Sequence, residues 1–127
     1  MYNDKILALF QNPPNVGRIL KADGVGEVGN ASCGDILKIY IKVTGEKIVD
    51  AKFQTFGCAT AIAASSIACT MLVGRTVDGA LEIKNADILK EMGEIPAQKI
   101  HCSVLAQEAI AAAIADYHKN QEKLNKK

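Results

Sequence analysis

In the stretch Lys99-Ile100-His101-Cys102-Ser103-Val104, a chain of 127 residues with two histidines and four cysteines sets one of each side by side. An imidazole beside a thiol suits a pair of metal ligands, or a nucleophile with its base. The other cysteines are Cys33 in Ser-Cys-Gly-Asp, Cys58 in Phe-Gly-Cys-Ala-Thr, and Cys69 inside the uncharged run from Phe56 to Gly74. Cys33, Cys58 and Cys102 fall where one predicted element gives way to the next. A thiol at a helix start faces unbonded N–H groups and the positive end of the helix dipole, which favours the thiolate that binds metal or attacks sulfur. Cys58 and Cys102 are both so placed. Cys69 differs: it sits about three turns, roughly 16 Å, along a predicted helix from Cys58, and reads as a small buried hydrophobe.

Three soft thiolates with an imidazole suit zinc or an iron-sulfur cluster, and a carboxylate as an extra or alternative ligand makes a site that exchanges. No paired Cys-x-x-Cys knuckle occurs, so the folded framework and not a local turn must assemble any such site. Asp35, two places after Cys33, reads either as a turn residue capping its own backbone or as a hard, weakly held ligand or charge beside the thiolates. At the start of the last helix, His101 reads either as a solvent-exposed loop histidine or as a ligand that could exchange with Cys102 through a small backbone shift. His118, among Lys and Gln, reads as solvated.

The elements that must position these residues are legible from periodicity. Asp4 to Asn12 has helical spacing at Ile6, Leu9 and Phe10, stopping at Pro13-Pro14. The glycine-rich GVGEVGN segment lacks the ending of a phosphate loop and reads as an irregular or edge strand. From Asp35 to Gly57 apolar and polar residues alternate on both sides of Thr44-Gly45-Glu46. This predicts a hairpin with Leu37, Ile39, Ile41 and Val43 facing the core beside Val49, Ala51 and Phe53. Helical periodicity then runs to about Val73, with two small helices over Val77–Ile83 and Asn85–Met92. The last helix covers about His101 to Lys123, with Ala106, Ile110, Ala113, Ile114 and Tyr117 on one stripe. The order predicts an α+β domain spanning 1–127, a small antiparallel sheet with helices packed on one face.

Composition narrows the classes. Net charge is +1 with acids and bases interspersed, which gives no electrostatic footprint for nucleic acid or an anionic membrane. The uncharged run is dominated by Ala, Ser, Thr and Cys, which predicts a buried helix and not a bilayer span. The N-terminal residues fit neither a signal peptide nor a transit sequence, so a cytoplasmic protein with reduced thiols is expected.

The segments NPPNVG, Cys33-Gly34-Asp35, FGCATAIAASS from Phe56, and KIHCSVLAQEAI from Lys99 together resemble the IscU/NifU N-terminal family of iron-sulfur cluster assembly scaffolds. The resemblance covers essentially the whole chain. It implies a SufE/NifU-like α+β sandwich in which Cys33, Asp35, Cys58, His101 and Cys102 surround a solvent-accessible site where a [2Fe-2S] cluster is built and handed on. Implied partners are a cysteine desulfurase, with Cys102 the sulfur acceptor candidate, and apo iron-sulfur acceptor proteins. Members that bind a dedicated Hsp70-type chaperone commonly carry LPPVK before the His-Cys pair. Here the segment reads IPAQK, matching at Pro96 and Lys99 and departing at Ala97 and Gln98, so Lys99 is the partner contact that the motif implies. The related SufU branch, zinc-bound sulfur acceptors, carries an insertion before the last cysteine motif and lacks the histidine. The chain looks like IscU, with zinc a candidate occupant when no cluster is bound. A monomer without cluster and a homodimer with it is expected, since a second chain would cover an exposed cluster edge. A Cys-His hydrolase is disfavoured, because adjacent residues at a helix start project in different directions.

Overall fold

The computed structural model describes residues 4–11, 15–30, 35–56, 59–93 and 101–125; of these, 4–6, 10, 30, 35, 59, 101 and 123–125 are described by backbone alone. Helix α1 (Asp4–Gln11) precedes three strands, β1 (Gly24–Asn30), β2 (Asp35–Thr44) and β3 (Lys47–Phe56). Four helices follow: α2 (Ala59–Leu72), α3 (Val77–Ala80), α4 (Asn85–Met92) and α5 (His101–Asn125). The strands form one antiparallel sheet in the order β1-β2-β3, and α2 and α5 pack on its inner face. This is the α+β arrangement that the sequence predicts.

The β2–β3 hairpin turns where Gly45 and Glu46 both take positive φ, 57° and 67°. Such a pair makes the two-residue turn whose twist matches that of the flanking strands. Glu46 is held there by its carbonyl, which accepts from the Val77 amide at 2.9 Å. One residue departs from the predicted alternation. Lys42 pairs with Asp50 but Val43 with Ile48, leaving Val49 unpaired in a bulge. The extra residue reverses the facing of the strand before it: Ile48 is buried and Val49 is 49% exposed, so Val49 does not belong to the core face.

β1 is a regular edge strand whose glycines serve close approach. A Cβ at Gly26 would fall within the backbone of Ala109, Ala112 and Ala113 of α5, and one at Gly24 would meet the Ala113 carbonyl. Helix α5 also supplies partners for this edge: the Asp116 carboxylate accepts from the Val25 amide at 2.8 Å, and the Asn120 side chain donates to the Asp23 carbonyl at 3.0 Å. Part of the other sheet edge is covered by residues 15–17, with Phe53 donating to the Asn15 carbonyl and Gly17 to the Phe53 carbonyl. The Asn15 side chain continues to α2, donating to Thr70 Oγ1 at 2.9 Å.

The core lies between the sheet and the two long helices: Leu37, Ile39, Ile41, Ala51 and Phe53 meet the small residues of α2 and the Ala106-Ala109-Ile110-Ala113-Ile114 stripe of α5. Alanine dominates both helices where they meet the sheet, which keeps their axes close to it. Helix α3 is shorter than its predicted span and is capped at its start by Thr76, whose hydroxyl accepts from the Gly79 amide. Among the described residues, no helix is long and apolar enough to cross a membrane.

Candidate metal centre

Three elements begin at the predicted site residues: β2 at Asp35, α2 one residue after Cys58, and α5 at His101. Strand pairing fixes two of these starts relative to each other. Asn30 at the end of β1 pairs with Asp35, and the next residue, Ile36, pairs with Phe56 at the end of β3. The described residues flanking Cys33 and those preceding Cys58 therefore lie at one end of the sheet. Helix α5 runs antiparallel to β1: Asn120 reaches Asp23, Ala113 meets Gly24, and Ala109 meets Gly26. Continuing toward its own N-terminus, α5 rises about 1.5 Å per residue and so carries its first turn to the Asn30 end, the same end as Asp35 and Phe56.

Cys33, Cys58 and Lys99 lie outside the described residues, and Asp35 and His101 are described only by backbone. Cys102 is 2% exposed, whereas the family resemblance implies a solvent-accessible site. Helical periodicity gives the reason. Cys102 sits one, two and three turns before Ala106, Ala109 and Ala113 on the stripe that faces the sheet, so the thiol opens the row of inward side chains. Ser103 beside it is also fully buried. His118 is exposed, as expected, and stacks obliquely on Tyr117 with ring centroids 5.5 Å apart.

Cys69 behaves as a core residue. It is fully buried in α2, and burial pushes its thiol up to about 12 from an ordinary value of 9.0, with Lys52 pulling the other way. A thiol so held stays protonated and is a poor ligand or nucleophile at neutral pH. Neither Cys69 nor Cys102 forms a disulfide.

Sequence reasoning passed over Thr60. It is the second residue of α2, fully buried, and its hydroxyl has no hydrogen-bond partner. A buried polar group left so costs about 1–3 kcal/mol, a penalty that Val or Ala in its place would avoid. The available signal was a hydroxyl in the first helical turn, two residues after a candidate ligand.

At one end of the sheet, then, the backbones of His101 and Cys102 open α5, that of Asp35 opens β2, and β3 ends at Phe56, two positions before Cys58 in the sequence. The donor types of these residues suit a soft-metal or iron-sulfur centre.

Comparison with known proteins agrees in extent. The NifU-like N terminal domain family matches residues 1–124. The chain is 52% identical over 126 residues to the iron-sulfur cluster assembly scaffold protein IscU 1 of Archaeoglobus fulgidus, covering 99% of this chain and 82% of that protein. It is 47% identical over 125 residues to the iron-sulfur cluster assembly scaffold protein IscU of Escherichia coli, covering 95% and 97%. Among solved structures, an iron-sulfur cluster assembly scaffold assigned to the SUF system of Fervidobacterium islandicum aligns with a TM-score of 0.73 at 28% identity, over 89% of this chain and 96% of that one.

Proposed function

Since the chain belongs to the NifU-like N-terminal domain family, we propose that it is a scaffold on which a [2Fe-2S] cluster is assembled and from which it is passed to apo-proteins. The observation that supports this reading is that the starts of β2 and α5 and the end of β3 lie at one end of the fold, and the motif residues Cys33, Asp35, Cys58, His101 and Cys102 are at or within two positions of those ends in the sequence. Relatives named as scaffolds at 47–52% identity over nearly the whole chain support it.

In this reading the thiolates of Cys33, Cys58 and Cys102 hold iron, with His101 or Asp35 completing the set. The two candidates differ in consequence. Imidazole gives a firmer site, whereas carboxylate oxygen is a hard, poorly matched donor for a thiolate-rich centre and exchanges readily. A cysteine desulfurase delivers sulfur as a persulfide, with Cys102 the acceptor. Reducing that sulfur to sulfide takes two electrons, so a reductant is a required co-reactant. Because Cys102 is 2% exposed, the first turn of α5 must open to receive sulfur. The unpaired hydroxyl of Thr60 accords with a site that acquires an occupant.

A zinc-bound sulfur acceptor is the alternative, favoured by the structural likeness to the SUF-system scaffold. Metal and sulfide analysis of protein purified and reconstituted without oxygen separates the two. The scaffold reading expects a red-brown product with iron and acid-labile sulfide in near-equal amounts. A zinc protein that stays colourless after reconstitution overturns it.

A further inference from the structure

The two long helices lie against the inner face of the sheet. Successive strand residues point to opposite faces, so the outer face carries Glu27 and Gly29 of β1, Ile36, Lys38 and Tyr40 of β2, and Phe56 of β3. Away from the Asp35 end, that face is satisfied within the chain. The Tyr40 hydroxyl donates to Gln54 Oε1 at 2.7 Å, Lys42 meets Asp23 at 3.5 Å and Lys52 meets Asp50 at 4.0 Å. Toward the Asp35 end it is not. Ile36 and Phe56, paired across the strands, are 46% and 78% exposed. Glu27 and Lys38 stand opposite each other in register but form no ion pair, and the Lys38 ammonium lies instead 5.4 Å from the Tyr40 ring centroid. Beside them a hollow of about 310 Å³ lies at Gly29, walled by Glu27, Val28 and Ile36.

Across the β1–β2 pair, then, a hollow stands opposite a knob at Gly29 and Ile36, and an acid opposite a base at Glu27 and Lys38. A two-fold axis between these strands and parallel to them lays β1 of one copy on β2 of another. Each Ile36 then enters the hollow at the other copy's Gly29, and each Glu27 meets the other copy's Lys38. One operation fulfils both matches, which is the condition for an isologous contact. We propose that this outer sheet face is the docking surface for a second copy of the chain. Its alternating signs fit a copy of itself better than a strongly acidic or basic partner. Sheets packed face to face keep their strands within about 30° of each other and about 10 Å apart, an arrangement that this axis allows. It also sets the Asp35 ends of both copies at the same end of the pair. Three strands of about seven residues cover roughly 350 Å² per copy at the usual strand spacing and rise. Such a contact, under about 1,200 Å² in total, is weak and transient. The proposal goes beyond the scaffold reading and does not depend on it.

Charge reversal tests this on the full chain without cluster, kept reduced and in the presence of a chelator so that neither a disulfide nor a metal joins the copies. Sedimentation equilibrium and amide NMR shifts are followed from about 0.05 to about 1 mM. The parent should associate toward the top of that range, with concentration-dependent shifts at Glu27, Gly29, Ile36 and Lys38. Glu27→Lys and Lys38→Glu each place two like-charge contacts across the axis, and each variant alone should associate about tenfold more weakly. An equal mixture of the two should recover the parent's association, because the basic face of one then meets the acidic face of the other; recovery also shows that both variants are folded. A parent that stays monomeric at about 1 mM overturns the proposal and leaves the face to a different protein. Single variants that associate like the parent place the contact on another surface and overturn it too, as does a mixture no tighter than either variant alone. Metal and sulfide analysis tests the scaffold reading separately, so either can fail without the other.

Discussion

Gly26→Ala should be costly although it adds one methyl group to an edge strand. The new Cβ would lie 2.9 Å from the Ala112 carbonyl carbon and closer still to the Ala109 carbonyl oxygen and the Ala113 amide nitrogen, all backbone atoms of α5. No rotamer relieves such a contact, so the helix must move by about 1 Å to restore van der Waals spacing. It is not free to do so. Asp116 and Asn120 tie it to β1, and Ala109, Ile110, Ala113 and Ile114 are packed at 1% exposure or less. Overpacking at the upper end of the usual range, about 3 kcal/mol, is partly offset by about 1 kcal/mol from the stiffer unfolded chain. The net loss is about 2 kcal/mol, which at a urea dependence of about 1.5 kcal/mol/M lowers the unfolding midpoint by roughly 1.3 M. Equilibrium urea unfolding followed by far-ultraviolet circular dichroism reads this directly, with Glu27→Ala, exposed on the opposite face, as the control. A midpoint within about 0.3 M of the parent, well under the expected shift, would refute the close docking of α5 on β1. Because the same helix opens with His101 and Cys102, the variant should also load iron and sulfide more poorly.

The bulge predicts that Ile48→Ala costs about 2–5 kcal/mol while Val49→Ala stays within about 0.5 kcal/mol, both from urea midpoints; similar costs would mean that regular alternation is correct. Cys69 makes stability fall at alkaline pH. Its folded thiol, pushed up to about 12, keeps a proton that the unfolded chain's thiol releases near 9, so the stabilisation is complete below pH 9 and is lost between about pH 9 and 12. Cys69→Ala should flatten that decline in pH-dependent urea unfolding and leave cluster loading intact, and an unchanged decline or lost loading would contradict its place in the core. Asp35→Ala should hold a reconstituted cluster longer and pass it more slowly to an apo-ferredoxin; transfer at the parent's rate, or failure to load, would sink the lability argument.

The hairpin and the inward stripe of α5 were legible because period two and period 3.6 are written directly into their apolar residues. The turn at Gly45-Glu46 was visible for the same reason, as a polar interruption between matched alternations. Val49 was not, because its facing depends on which residue of β2 it opposes, and pairing between strands leaves no mark in local periodicity. Nor did Gly24 and Gly26 declare themselves: they looked like irregularity, and only the backbone of α5 lying against them shows why a side chain is excluded. Cys69 could be separated from the other cysteines by helical geometry alone. Cys102 could be placed at a helix start, but its burial follows from which stripe of α5 faces the sheet, a three-dimensional property. Thr60 was invisible until its partners could be sought, since an unpaired hydroxyl is defined by what surrounds it.

Intact transfer is the central claim, and one measurement addresses it. The protein, loaded anaerobically with a [2Fe-2S] cluster, is mixed with an apo-ferredoxin in the presence of excess iron chelator, and circular dichroism follows the donor and acceptor signals together. The account predicts that the ferredoxin signal grows at the rate at which the donor signal decays, with little iron captured by the chelator. Loss of the donor signal into the chelator, with no ferredoxin formed, would contradict it.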